Sequence, residues 1–143
     1  MATAAFSHCE IPCGIYDDEF RFRMMREHVA TIEKSIEQAT QLEEKTPQVY
    51  NQLVRWIDNK ERHARKLQEI VWQYVFTQRI KPVSGEKGRE RYLKQLELLH
   101  LLSYYAMKSK QSLDLENARR LRALIDRFEK LYFGLDGRGG KGS

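Results

Sequence analysis

The sequence predicts an all-α fold, an up-and-down four-helix bundle, and three observations carry that reading. Only 8 Gly and 3 Pro interrupt 143 residues, too few punctuators for a turn-rich β-sandwich or barrel. Apolar residues recur at steps of three and four along four separate segments, the period of an amphipathic helix. The breaks between those segments are short, and short connections make sequence neighbours antiparallel. A chain of this length builds one core, so a two-domain enzyme is excluded.

Taken in order, residues 1–7 read as a small-residue leader, 8–16 as an irregular loop, 17–134 as the bundle and 135–143 as a glycine-rich tail expected to be mobile. Asp17, Asp18 and Glu19 place negative charge in a first helical turn, and Met25, Val29, Ile32, Ile36 and Ala39 form the apolar stripe of a helix over about 17–44. Thr46-Pro47 reads as the start of the next helix, an N-cap followed by proline at the first helical position. That helix is expected to run to about Arg79, its seam being Leu53, Ile57, Lys60, Ala64, Leu67, Val71 and Tyr74. One member of the seam is charged, which makes Lys60 a candidate inward-facing cation. Pro82, Gly85 and Gly88 break the chain before a third helix of about 88–110, marked by Tyr92, Leu96, Leu99, Leu102 and Ala106. A fourth, about 113–133, has the stripe Ala118, Leu121, Ile125, Phe128 and Tyr132, with Ser112 or Asp114 as N-cap and Gly134 as the stop.

Composition narrows function by exclusion. With 41% hydrophobic and 31% charged residues the chain can build a core, and it contains no apolar run of the roughly 18–20 residues that spanning a bilayer needs, so no membrane partner is expected. The net charge of +5, from 25 basic against 20 acidic residues, permits anionic partners without naming one. Arg62, Arg65 and Lys66, like Arg119, Arg120 and Arg122, are interspersed with acids and read as solvated helix faces; no nucleic-acid partner is expected. Trp56, Trp72, Phe76, Tyr104, Tyr105, Phe128 and Tyr132 fall on or beside helical stripes and read as core or subunit-contact residues. His28, His63 and His100 lie on helices without metal-ligand spacing and read as structural or surface histidines.

What remains is the loop HCEIPCGIY over 8–16. Cys9 and Cys13 are the only two cysteines, and a bridge between them would close too small a loop to staple the fold, so their role is chemical. Residues 1–7 carry no basic start and no apolar stretch of secretory length, so a cytoplasmic, reducing location is expected, with free thiols. Two thiolates and the His8 imidazole within six residues, shaped by Pro12 and Gly14, make a compact metal hook ahead of the bundle. Structural zinc fits poorly, because it takes four side chains and prefers closer cysteine spacing. Amide nitrogen and thiolate in a plane suit nickel or copper, and they stabilise the higher oxidation state of a metal that cycles one electron. A non-enzymatic metal-delivery or thiol-redox protein uses the same cysteine pair.

The string resembles the hook of the nickel superoxide dismutase family, H-C-x-x-P-C-G-x-Y, at all six fixed positions. The helical remainder has that family's length and pattern, and Trp72, Phe76, Lys81 and Pro82 are similar to its second-helix ending. The resemblance implies an enzyme, a superoxide dismutase that converts superoxide to dioxygen and hydrogen peroxide at a nickel ion. Cys9 and Cys13 would give thiolates, Cys9 its backbone nitrogen, and His8 its α-amino nitrogen and an axial imidazole. Pro12 would shape the hook, and Tyr16 would sit beside the open axial face. The family assembles as a homohexamer with the hooks at subunit contacts.

Four departures accompany the match. His8 has a free α-amine only if residues 1–7 are removed. The family's glutamate partner of the axial histidine falls at Met24, its arginine partner at Lys60, which keeps charge without the planar fork, and its second active-site tyrosine at Val75, beside Tyr74. With the second shell altered, copper and an uncleaved leader form the competing version of the same reaction.

Overall fold

The computed structural model describes residues 14–45 and 47–135. They form four helices, α1 (Asp18–Glu43), α2 (Tyr50–Glu69, continued by Ile70–Arg79), α3 (Arg89–Gln111) and α4 (Leu115–Phe133), and no strand is present among them. Of the hook, only Gly14, Ile15 and Tyr16 fall within the described residues; the leader, His8, Cys9, Pro12 and Cys13, and the tail from 136 onward lie outside them.

Each helix starts and stops for local reasons. The Asp17 carboxylate accepts the Phe20 N–H at 2.8 Å and caps α1. Of the two caps open to α4, Asp114 serves, accepting the Glu116 N–H at 2.9 Å, and Gly134 closes the helix in the left-handed region at φ 69°. Thr46-Pro47 does not start α2. That helix opens at Tyr50 with Val49 at its N-cap position, and Thr46 is outside the described residues. The connection serves the preceding helix instead: the Gln48 side-chain amide donates to the Glu43 carbonyl at 2.9 Å, and the Lys45 N–H to the Leu42 carbonyl.

Each helix packs on two others, α1 on α2 and α4, and α3 on α2 and α4, so the four close a ring. Contacts at the ends give the directions. Asp18 at the start of α1 meets Arg79 at the end of the second helix, and Phe22 stacks on Phe128 near the end of α4. The Arg91 guanidinium, at the start of α3, donates to the carbonyls of Leu131 and Tyr132. The bundle is therefore up-and-down, with the predicted stripes inside: Met25, Ile32, Ile36, Leu67, Leu99, Leu102, Leu121, Ile125 and Phe128 are fully buried.

Two features exceed the periodic pattern. From Ile70 to Arg79 the second helix adopts π-helical bonding, in which the Ile80 N–H reaches the Val75 carbonyl five residues back at 3.0 Å. Tyr74 and Val75, adjacent in sequence, are both buried in this stretch. Earlier in that helix Lys60 does face inward, 2% exposed, and its ammonium donates to the carbonyls of Lys110 and Ser112, each at 2.8 Å. It ties off the C-terminus of α3, where carbonyls lack intrahelical donors. Among the described residues no helix is long and apolar enough to cross a membrane.

Replacing Lys60 by Met fills the volume but leaves two carbonyls without their charged donor. Unfolding in urea is expected to show a loss of about 2–3 kcal/mol; a change below about 0.5 kcal/mol, the scale of an ordinary surface substitution, would remove Lys60 from this role.

Candidate functional site

The described end of the hook is held by one cluster. Asp17 is used as the cap of α1, which leaves the next carboxylate, Asp18, free to turn toward the bundle. Asp18 accepts two hydrogen bonds from the Arg79 guanidinium, at 2.8 and 2.6 Å, one from the Tyr74 hydroxyl at 2.7 Å and one from the Tyr132 hydroxyl at 2.8 Å. Its partners come from the end of the second helix and the end of α4. Arg79 in turn stacks over the Tyr16 ring, its guanidinium carbon 4.1 Å from the ring centre, and Tyr16 meets Tyr74 edge to face at 6.1 Å. Tyr16 remains 42% exposed, so the last residue of the hook is anchored on one side and open on the other.

The electrostatics follow from this wiring. Burial alone would raise the Asp18 pKa, but the hydrogen bonds from Arg79, Tyr74 and Tyr132 outweigh it and hold the carboxylate below its ordinary range. Burial, reinforced by the hydrogen bond to Asp18, pushes the Tyr74 and Tyr132 phenols up to about 12. The hydrogen bond to Asp18 raises the Arg79 guanidinium further above its usual value, so it stays charged.

Beside this cluster, between α1 and the second helix, lies an open cleft of about 330 Å³ lined by Arg21, Met24, His28, Lys66, Glu69 and Tyr74, with Ile70 and Gln73. Met24, where the resemblance places a glutamate, is on its wall, and Arg21 Nη1 approaches the Met24 sulfur at 3.7 Å. His28 and His63 pair with each other, Nδ1 to Nδ1 at 3.0 Å, one ring donating and the other accepting. Burial depresses both of their pKa values, His63 and then Lys66 adding to the effect at His28 and Lys66 and then Arg62 at His63. This pair joins residues 35 apart on two helices, and no spacing within either helix signals it.

The predicted site residues therefore separate. Tyr16 stands in the cluster with Tyr74, Arg79 and Asp18. Lys60 does not join it: it sits 14 positions before Tyr74 on the same helix, roughly 20 Å away at 1.5 Å per residue, bound to the end of α3. Val75, the position the resemblance gives for the second tyrosine, is a core residue, and the tyrosine beside Tyr16 is Tyr74. Tyr74 is buried, as its seam position predicts, and it is this ring rather than Val75 that reaches Tyr16. Asp18, Arg79, Tyr132 and Arg21 are additions to the site; the sequence marked Asp18 as first-turn acidic charge and Tyr132 as a member of the fourth helix's stripe, and neither signal pointed to this cluster. His8, Cys9, Pro12 and Cys13 lie outside the described residues, and among the described ones no group of three or more His, Cys, Asp or Glu is placed to hold a metal.

A phenol whose folded-state pKa is raised stabilises the fold fully below its unfolded value, near 10, and loses that contribution as pH rises toward about 12. Ultraviolet titration is expected to show two tyrosines ionising near pH 12, with stability falling between pH 10 and 12. In Asp18→Asn both should move toward 10, since the carboxylate that repels the phenolates is gone; two unmoved late tyrosines would contradict the hub.

The model of the family described as nickel-containing superoxide dismutase matches residues 2–135. No curated protein and no solved structure matches the chain.

Proposed function

The chain belongs to the nickel-containing superoxide dismutase family, whose members are oxidoreductases with a nickel cofactor, and from that premise we propose that it disproportionates superoxide at a nickel held by residues 8–13 and presented beside Tyr16. The observation that carries the reading is the anchorage of Tyr16. The final residue of the hook is fixed by Arg79 and Tyr74 while its other face stays open.

The donor set fits the ion. Cys9 and Cys13 would supply soft anionic sulfur, Cys9 a backbone nitrogen, and His8 an imidazole and, once residues 1–7 are removed, an α-amine, with Pro12 between the two thiolates in sequence. When bound, nickel supplies the one-electron cycling by which one superoxide is oxidised to dioxygen and another reduced, with two protons, to hydrogen peroxide. The protein's own residues orient the reactants. Tyr16 presents a phenol at the open face, where it can donate to superoxide or water. Tyr74, locked to Asp18, keeps its proton to about pH 12 and so remains a neutral wall beside it. Controlled access also protects the thiolates from peroxide.

A different face of the second helix supports assembly. Trp72 and Phe76 pack on each other at 4.8 Å yet are 39% and 40% exposed, and Trp72 is tied to Ser103 next to the exposed Tyr104 on α3. An apolar surface of this kind suits contact with further copies of the chain, in the hexamer of the family. Reduced, metal-competent cysteines suit a cytoplasmic setting. Met24 in place of a carboxylate favours a second version, the same reaction with copper and a retained leader.

Cys9→Ser and Cys13→Ser are each expected to reduce superoxide dismutation by the purified protein to the uncatalysed background, and full activity in both would end the dismutase reading. Reversible formation of a Cys9–Cys13 disulfide, or transfer of metal, without dismutation would favour the non-enzymatic alternative. Intact mass with elemental analysis separates the two metals: a mass starting at His8 with nickel supports the first version, and a retained leader with copper the second.

A further inference from the structure

Arg21 is a half-buried cation without a carboxylate partner among the described residues. Its guanidinium lies over the Tyr74 ring, 4.7 Å from the centre, on the wall of the cleft between α1 and the second helix. Its Nε is buried without a hydrogen-bond partner, and among the described residues no carboxylate lies within ion-pair distance. Arg26 and Arg79, one turn on and across the bundle, are both paired, so the fold elsewhere satisfies its inward arginines. A buried N–H on a charged group carries a cost unless something accepts from it.

The surroundings define what that acceptor is. Nη1 meets only the Met24 sulfur, a weak acceptor, at 3.7 Å. Lys66 lines the opposite wall, and the one carboxylate on the cleft, that of Glu69, offsets a single charge of the two. The cleft therefore favours an anion, and at about 330 Å³ it has room for one of a few atoms together with water. Tyr74 is shared between this cleft and the edge-to-face contact with Tyr16. An anion held at Arg21 is thus one aromatic ring from the hook's last residue.

We propose that this cleft is a binding site for small inorganic monoanions in which Arg21 supplies the hydrogen-bond donors, and that superoxide is collected there before it reaches the hook. The second half rests on the dismutase reading of the previous subsection; the first does not. Met24 is part of the device. A glutamate there would stand three residues after Arg21 on one helical face and pair with it, closing the site by internal neutralisation.

The test uses the nickel-loaded protein as purified from cells, in two arms. In the first, azide is titrated while the Arg21 side-chain N–H resonances are followed by NMR; saturable shifts are expected in the wild type and their loss in Met24→Glu. In the second, the second-order rate with superoxide is measured against ionic strength. Arg21→Gln is expected to slow it about tenfold at low salt and flatten its salt dependence, Arg21→Lys to keep a partial effect, and Glu69→Gln to raise the rate. A merely structural arginine would not give opposite signs in those two variants. If azide leaves Arg21 unshifted, or Arg21→Gln keeps the wild-type rate and salt slope, the proposal falls while the dismutase reading stands. If azide binds but the wild type does not dismute superoxide, the dismutase reading fails, and with it the collecting role.

Discussion

One carboxylate sets the architecture of the functional end. Asp18 receives Arg79, Tyr74 and Tyr132, so the start of α1 and the ends of the second and fourth helices converge on a single group. Its freedom to do so depends on its neighbour: Asp17 takes the capping role, and Asp18, one residue later, is turned from the helix end into the bundle. Burying a carboxylate costs solvation, and only a full set of donors offsets that cost. Arg79 provides the charge and a bidentate fork, and the two phenols fill the remaining acceptor positions. Tyr16 is placed secondhand, through the arginine and tyrosine that Asp18 has already fixed.

The second helix serves two different purposes along its length. At Lys60 a buried ammonium closes the end of α3, which makes that stretch a structural joint. Past Ile70 the bonding becomes π-helical while the inward stripe continues, with Tyr74, Val75 and Gln78 buried and Trp72 and Phe76 outside. Tyr74 thereby joins the core to the last residue of the hook.

Much of the bundle was legible because the hydrophobic period is a local property. Met25 to Ala39, Leu99 to Ala106 and Ala118 to Phe128 read directly as buried faces, and Gly134 as a stop. The inward direction of Lys60 was legible on the same ground, since it occupied a seam position; its partners were not, because they lie 50 and 52 residues away. The start of α2 was misjudged where a local signal met a competing demand, the open end of α1. Counting placed the second tyrosine at Val75, and the ring that meets Tyr16 is Tyr74, one residue earlier; with both residues buried, register alone does not choose between them. The hook's donors, His8, Cys9 and Cys13, lie outside the described residues, and their assignment rests on the sequence and the resemblance alone.

The loss of a carboxylate at position 24 and the unpaired Arg21 are two aspects of one change. Residues three apart on a helix face each other, so the side chain at 24 decides whether the guanidinium at 21 is neutralised locally or left to attract something else. Methionine offers a soft, weakly accepting sulfur that tolerates the guanidinium without compensating its charge. On the proposed function, methionine at position 24 gives up a carboxylate that would orient the His8 imidazole and leaves the Arg21 guanidinium open to a monoanion. Glu69, the carboxylate on the cleft, offsets part of its charge without an ion pair to Arg21.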